Sequence, residues 1–297
     1  AKMAGLARSS FYRAVKAHEY QAAWDMLTAA RKARAADKHM YGVGLVCAAR
    51  AGRIGWVDAL WRELRHEPDP PVQLNSHLST AFISAYGSDP DRLRSSRAVL
   101  SWARDHGMAN TTTYNAFLSA ASRSLEPHVR PAAGEACVAS ETAAMVDDAL
   151  GEMAVHAVPF DSHTLSAAIR AYGRAGCLDK AVRLYRQHEA LVDVFGTNAL
   201  IAAAGRSGDA QLALETLSGM GSSASIVSYN AALQALAKTN QPLDRVAHAL
   251  EIRRTMSAAG IIEDRITLTS LLAIFGDSPL AEELVAGVDE VMLRPPA

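Results

Sequence analysis

Residues 194–220 read VFGTNALIAAAGRSGDAQLALETLSGM, and residues 226–240 read IVSYNAALQALAKTN. Laid one on the other, they run in parallel. Asn198 and Asn230 stand one turn into a run of small and apolar residues, and Arg206 and Lys238 close it. Within the run, apolar residues recur at i, i+3 and i+4, as in Tyr229, Ala232, Leu233 and Leu236, the period of a helix buried on one face. Gly208 follows the first run, where a left-handed residue ends a helix at least steric cost. A second amphipathic run, Ala213, Leu217 and Met220, comes after it. The unit is a helical hairpin. Such a hairpin cannot bury its apolar face alone, so it requires stacked neighbours.

The neighbours are present. TTTYNAFLSAASRS from Thr111 aligns without gaps, and SHTLSAAIRAYGRAGCLDKA from Ser162 aligns with Ser166 in place of Asn. Weaker copies open at Lys38 (KHMYGVGLVCAARAGRIGWV) and Ser76 (SHLSTAFISAYGS), and a partial copy, RITLTSLLAIFGD, opens at Arg265. Six copies are expected at 38–75, 76–110, 111–161, 162–193, 194–225 and 226–264, between an N-terminal helical cap, 1–37, and a partial repeat with a C-terminal cap, 265–297. The stretch 125–141, LEPHVRPAAGEACVASE, is read as a loop inserted between the helices of the third copy. At the third place of four of the first helices, Thr113, Thr164, Ser228 and Thr267 carry a hydroxyl that can accept an orphan backbone N–H. Gly52, Gly176 and Gly208 end first helices at matching places.

Composition agrees. Among 297 residues there are 58 alanines but only 6% aromatics, which favours close-packed helices over a sandwich or barrel. No apolar run approaches the ~18 residues of a membrane-spanning helix. Cys47, Cys137 and Cys177 are odd in number and widely separated, giving neither a disulfide framework nor a zinc site. A zinc deaminase would need a His-x-Glu with paired cysteines, and no phosphate loop or catalytic triad occurs. Glu282, Glu283, Asp289 and Glu290 fit the solvated face of a capping helix. No enzyme, cofactor, metal site or small-molecule substrate is expected. The first 18 residues carry Lys2, Arg8, Arg13 and Lys16 and no acid. That suits an organelle-targeting remnant or an amphipathic helix with Phe11, Val15 and Tyr20 at near-helical spacing.

The segments YNAALQALAK, GTNALIAAAGRSGDAQLALETLSGM and AIRAYGRAGCLDKAVRLY resemble pentatricopeptide repeats. The tails EMAVHAVPFD (152–161) and TMSAAGIIED (255–264) resemble that family's ending before a fresh copy. The resemblance covers 38–264 and the partial copy, and implies an all-α, right-handed superhelical solenoid of stacked helix-turn-helix repeats. Members bind single-stranded RNA at about one base per repeat. The family's two reading places fall on Thr80 with Asn110, Asn115 with Asp161, Ser166 with Asp193, Asn198 with Ser225, and Asn230 with Asp264. By analogy these prefer A, U, G, C and U. Thr269 opens a pair the sequence does not complete, and Gly42 with Asn75 is expected to read nothing. The same residue types also have a plain structural use. Asn, Ser and Thr in a first turn satisfy backbone groups, and a closing Asp caps the next helix.

The formal net charge is −1, yet the first helices of the six copies hold no Asp or Glu. Arg50, Arg123, Arg174, Arg206 and Lys238 stand at one place in five of them, with Arg170 besides. Such a stripe would meet phosphate in the family's concave groove, although a cation also suits any helix C-terminus. The acids Glu63, Glu152, Asp179, Glu189, Glu215 and Glu251 fall in second helices and tails, on the face expected to be outermost. Two functions remain. One is an organellar adaptor, mitochondrial or chloroplast, that binds a short single-stranded RNA. The other is a scaffold subunit of a large organellar protein complex.

Overall fold

A computed structural model describes residues 2–66, 70, 72–125, 135–276 and 278–292. Among these residues there are sixteen α-helices and no strand, as the alanine-rich, helix-period sequence requires. Contacts divide the chain into two compact units, Ala1–Ala171 and Tyr172–Ala297.

The first unit holds α1 (Lys2–Lys16), α2 (Tyr20–Lys32), α3 (Lys38–Arg50), α4 (Ile54–His66), α5 (Ser76–Tyr86), α6 (Leu93–Asp105), α7 (Thr111–Ser124) and α8 (Glu135–Val155), with most of α9 (Ser162–Arg174). Helix α3 packs on α4 and α5, α5 on α6 and α7, and α7 on α8. The second unit holds α10 (Leu178–Gln187), α11 (Val194–Arg206), α12 (Ala210–Met220), α13 (Ile226–Lys238), α14 (Arg245–Ala258), α15 (Arg265–Phe275) and α16 (Pro279–Met292). There α11 packs on α12 and α13, α13 on α14 and α15, and α15 on α16. Within each unit successive hairpins thus touch, the contact pattern of a solenoid.

Two expectations about the ends and the insertion meet the structure. Helix α1 packs on α2 with Phe11 and Ala14 buried, so this basic segment behaves as an amphipathic helix of the fold. Helix α8 already begins at Glu135, so residues 135–141 are helical and not loop. Residues 126–134 of that stretch lie outside the described residues.

Turn chemistry explains why the hairpins close where they do. Gly52, Gly176 and Gly208 have φ of 64°, 74° and 78°, left-handed values that glycine adopts at no steric cost. At the first, Arg53 N–H donates to the Ala48 carbonyl (2.9 Å) and Gly52 N–H to that of Ala49 (3.1 Å), closing a Schellman motif.

Small residues set the stacking distance. A Cβ built on Gly173 of α9 would stand 2.4 Å from the Ala203 Cβ of α11, and one on Gly205 would stand 3.0 Å from the Ala235 Cβ of α13. Gly173→Ala gains about 1 kcal/mol of helix propensity but must push α11 away, an overpacking cost of about 1–3 kcal/mol. We expect a net loss of stability in chemical denaturation, and a stabilised Gly173→Ala variant would contradict this packing.

Candidate nucleic-acid interface

The first helices start on side-chain caps, reciprocal in α7, α9, α13 and α15. Asn75, Asn110, Asp161, Asp193 and Asp264 accept a hydrogen bond from the backbone N–H three residues on, at 2.9, 3.0, 2.7, 2.9 and 2.8 Å. In return the third-place hydroxyls of Thr113, Thr164, Ser228 and Thr267 accept from the N–H of the capping residue, at 3.4, 3.2, 3.0 and 3.2 Å. The hydroxyls do satisfy backbone groups, as their position suggested. The helix-capping groups proper are the residues the resemblance gives as second readers.

Two of the five reading pairs come together directly, with one geometry in both units. In unit 1, Asn115 Nδ2 donates to both carboxylate oxygens of Asp161 at 3.0 and 3.1 Å, and its Oδ1 accepts from the Thr164 hydroxyl at 2.7 Å. In unit 2, Asn230 makes the same bonds to Asp264, at 3.0 and 3.1 Å, and to Thr267, at 2.7 Å. An amide offers two donors and two lone pairs. These contacts take one of each and leave an N–H beside a lone pair. Asn115 is half-buried, whereas Asn230 is only 6% exposed.

The other candidates are held differently. Thr80 donates to the Ser76 carbonyl (2.8 Å) and stands 3.3 Å from the Thr113 hydroxyl, through which it connects to Asn110. Asn198 Oδ1 is buried without a protein hydrogen bond, and Ser225 turns instead to Ser228, hydroxyl to hydroxyl at 3.3 Å. Ser166 is buried in unit 1, while Asp193 caps α11 in unit 2. Exposed Thr269 donates back to the Arg265 carbonyl at 2.7 Å. Gly42 is half-buried on α3.

Both paired carboxylates titrate low. Burial works against the Asp161 anion, but the Thr164 N–H and hydroxyl and the Asn115 amide outweigh it. For Asp264 the Thr267 N–H is the leading cause, opposed by slight burial and helped by Asn230. A carboxyl whose folded pKa is depressed stabilises the fold above its unfolded pKa and ceases to do so as pH falls through the folded value. Melting temperature should therefore drop as pH falls below about 4. The drop should shrink in Asp161→Asn and Asp264→Asn, and an identical pH profile in the variants would contradict the assignment.

The cations at the helix ends need correction. Arg123 Nε donates to the Gly87 carbonyl and Arg206 Nε to the Gly173 carbonyl, both at 3.1 Å. Each ties its helix to the C-terminus of the preceding first helix, satisfying a carbonyl the helix leaves open. Burial, seconded by Arg174, pushes the Arg206 pKa down. Arg174 is half-buried, and Arg50, Arg170 and Lys238 are exposed. The expected stripe is thus partly structural. The acids divide as well. Asp179, Glu189, Glu215 and Glu251 are exposed, but Glu63 pairs with Arg31 and Tyr41, and Glu152 with Arg97, Arg104 and Tyr114, inside unit 1.

One set of residues escaped sequence reasoning. Phe195, Val227 and Ile266 are 70%, 58% and 49% exposed, and each is the second residue of its first helix. Each lies three positions before Asn198, Asn230 or Thr269, hence on the same helix face. The signal was available: a large apolar side chain at a place the core periodicity does not use, three copies in succession.

Residues 163–187, spanning most of α9 and all of α10, match the family model of the pentatricopeptide repeat. This chain carries a pentatricopeptide repeat. Its fold is similar to the pentatricopeptide repeat protein PPR10 in complex with an 18-nucleotide psaJ RNA element, at 22% identity and a TM-score of 0.58, over 99% of this chain and 39% of that one. PPR10 from maize gives 23% and 0.60, over 97% and 40%. The chain thus spans about two fifths of the length of these pentatricopeptide structures. No curated protein matches it. Among the described residues no helix is long and apolar enough to cross a membrane, and no group of three or more His, Cys, Asp and Glu could hold a metal.

Proposed function

We propose that the protein binds a short single-stranded RNA on the face carrying the starts of its first helices, as an adaptor in organellar RNA metabolism or translation. The observation that carries this reading is the Asn–Asp–Thr arrangement, built twice to the same distances in separate units. Capping alone needs only the Asp and the Thr. The Asn is held so that one N–H and one lone pair remain side by side, the complement of a uracil edge. Thr80, Ser166 and Asn198 then read the other bases with Asn110, Asp193 and Ser225. Phe195, Val227 and Ile266 supply apolar surface against which bases stack. Arg50, Arg170 and Lys238 meet phosphate, with Arg123 and Arg206 adding charge from their tethered positions and Arg174 from its half-buried one. The similarity to psaJ-bound PPR10 supports the organellar setting, mitochondrion or chloroplast.

The test is selection from a random RNA pool, with binding of the winners followed against salt. Affinity should fall as salt rises, and uracil should be enriched at the positions read by Asn115 and Asn230. Binding absent, or indifferent to salt, overturns the reading. Copurification with a nuclease-resistant protein assembly would then favour the scaffold role.

A further inference from the structure

In unit 1, consecutive second helices are joined by charge. Arg97 and Arg104 of α6 both reach Glu152 of α8, and the Tyr114 hydroxyl lies 3.5 Å from the same carboxylate. Unit 2 has the same interstice between α12 and α14. Buried triads spaced three and four apart give the register. Ser96, Val99 and Ala103 of α6 correspond to Ala210, Ala213 and Leu217 of α12, and Val146, Ala149 and Met153 of α8 to Ala249, Ile252 and Met256 of α14. Gln211 then stands at the place of Arg97, Ser218 at that of Arg104, and Thr255 at that of Glu152. Tyr229, which follows Ser228 as Tyr114 follows Thr113, completes the set.

All four of these residues line one open cavity of about 630 Å³. Where unit 1 has two guanidinium groups and a carboxylate, unit 2 has shorter neutral side chains and space. Tyr229 is 4% exposed and lines the cavity, but among the described residues no carboxylate meets its hydroxyl as Glu152 meets that of Tyr114 and Glu63 that of Tyr41. Negative charge stands instead on exposed Glu215 of α12, which accepts from the Gln211 amide at 3.0 Å, and on exposed Glu251 of α14; both line the cavity, with His248 beside them. The described lining contains no lysine or arginine.

We propose that this cleft takes an arginine side chain from a partner polypeptide. A planar guanidinium offers donors enough for the Glu215 and Glu251 carboxylates and the Tyr229 hydroxyl that line the cleft. Leu214, Leu217 and Ile252 cover its stem and the flanking apolar residues. Unit 1 shows that the same interstice between second helices, when filled, is filled by guanidinium. RNA is the wrong occupant, because two carboxylates repel phosphate. The site stands apart from the RNA-binding reading and does not depend on it.

The test uses the full chain with isotope-labelled tyrosine and three probes: the tripeptide amide acetyl-Leu-Arg-Leu, its citrulline counterpart, and methylguanidinium. The arginine peptide should shift the Tyr229 ring signals saturably and the citrulline peptide should not. It should bind at least about tenfold more tightly than methylguanidinium, because its leucines bury apolar surface. Glu215→Gln with Glu251→Gln should weaken it about tenfold or more. The double variant Ser218→Arg, Thr255→Glu rebuilds the Arg104–Glu152 pair of unit 1 inside the cleft, so it should fold and ignore the peptide. No shift, an equal response to citrulline, equal affinity for methylguanidinium, or binding retained by the refilled variant would each overturn the proposal.

Discussion

Glu152→Ala is expected to destabilise unit 1 by about 3 kcal/mol, the low end of what removing one partner of a buried ion cluster costs. Arg97 donates to Glu152 through both terminal nitrogens, at 2.6 and 3.2 Å; Arg104 adds a third bond, and the Tyr114 hydroxyl approaches at 3.5 Å. The carboxylate side chain is 16% exposed, and those of Arg97 and Arg104 are 19% and 27%. Without the carboxylate, two guanidinium groups and a phenol lose their common acceptor in a place where water enters poorly. Residual exposure is why the low end applies. Burial and the Glu152 charge already push the Tyr114 pKa up, which shows how closely the phenol senses the anion. Glu141→Ala is the control. Arg94 grips Glu141 with two bonds of 2.7 and 2.8 Å, a geometry as good as that at Glu152, but the side chains are 79% and 36% exposed. An exposed pair contributes about 0–1 kcal/mol. Equal losses in the two variants, measured by denaturant unfolding, would show that burial does not set the value of these pairs.

The contrast between legible and illegible features follows the distance over which a residue acts. The hairpins could be read from the sequence because their signals are local: a capping residue answered by a hydroxyl three positions on, an i, i+3, i+4 apolar stripe, a glycine at the turn. Candidate readers could be placed for the same reason, since Asn115 and Asn230 stand two residues after such a hydroxyl. Their attachment to Asp161 and Asp264 joins residues 46 and 34 positions apart. Nothing local announces it. Arg123 and Arg206 misled because a helix-end cation has two uses, and the carbonyl that claims each lies 36 or 33 positions upstream. Glu152 misled more, because an acid in a second helix reads as a solvated face until partners 55 and 48 positions away are brought to it. The start of α8 was missed because the prolines and glycine of 126–134 made the whole stretch look like loop.

The largest functional effect is expected from Phe195→Ser, Val227→Ser and Ile266→Ser combined. Stacking a base on an aromatic side chain such as Phe195 contributes about 1–3 kcal/mol, and covering a base face with an aliphatic side chain such as Val227 or Ile266 contributes about 1 kcal/mol through buried apolar area. Three lost contacts at the low end amount to about 3 kcal/mol, roughly a hundredfold in affinity. The three side chains are 70%, 58% and 49% exposed, so they contribute little to folding, and the melting temperature should stay within a degree or two. That separation is the reason to prefer them over the asparagines as the first test. Asn230 is 6% exposed and bonded to both Asp264 and Thr267, so Asn230→Ala weakens folding along with any RNA contact. Asn115, half-buried, is the better asparagine. Its replacement by Ala should relax the preference at one base while leaving the salt dependence intact, because a base-edge contact carries no counterion. The serine variant should lose affinity for every sequence alike, because every base has a face to stack. Wild-type affinity in the triple variant would mean that the RNA, if bound, lies elsewhere than on the starts of the first helices. A loss confined to one sequence would mean that these side chains read base edges instead of stacking on base faces.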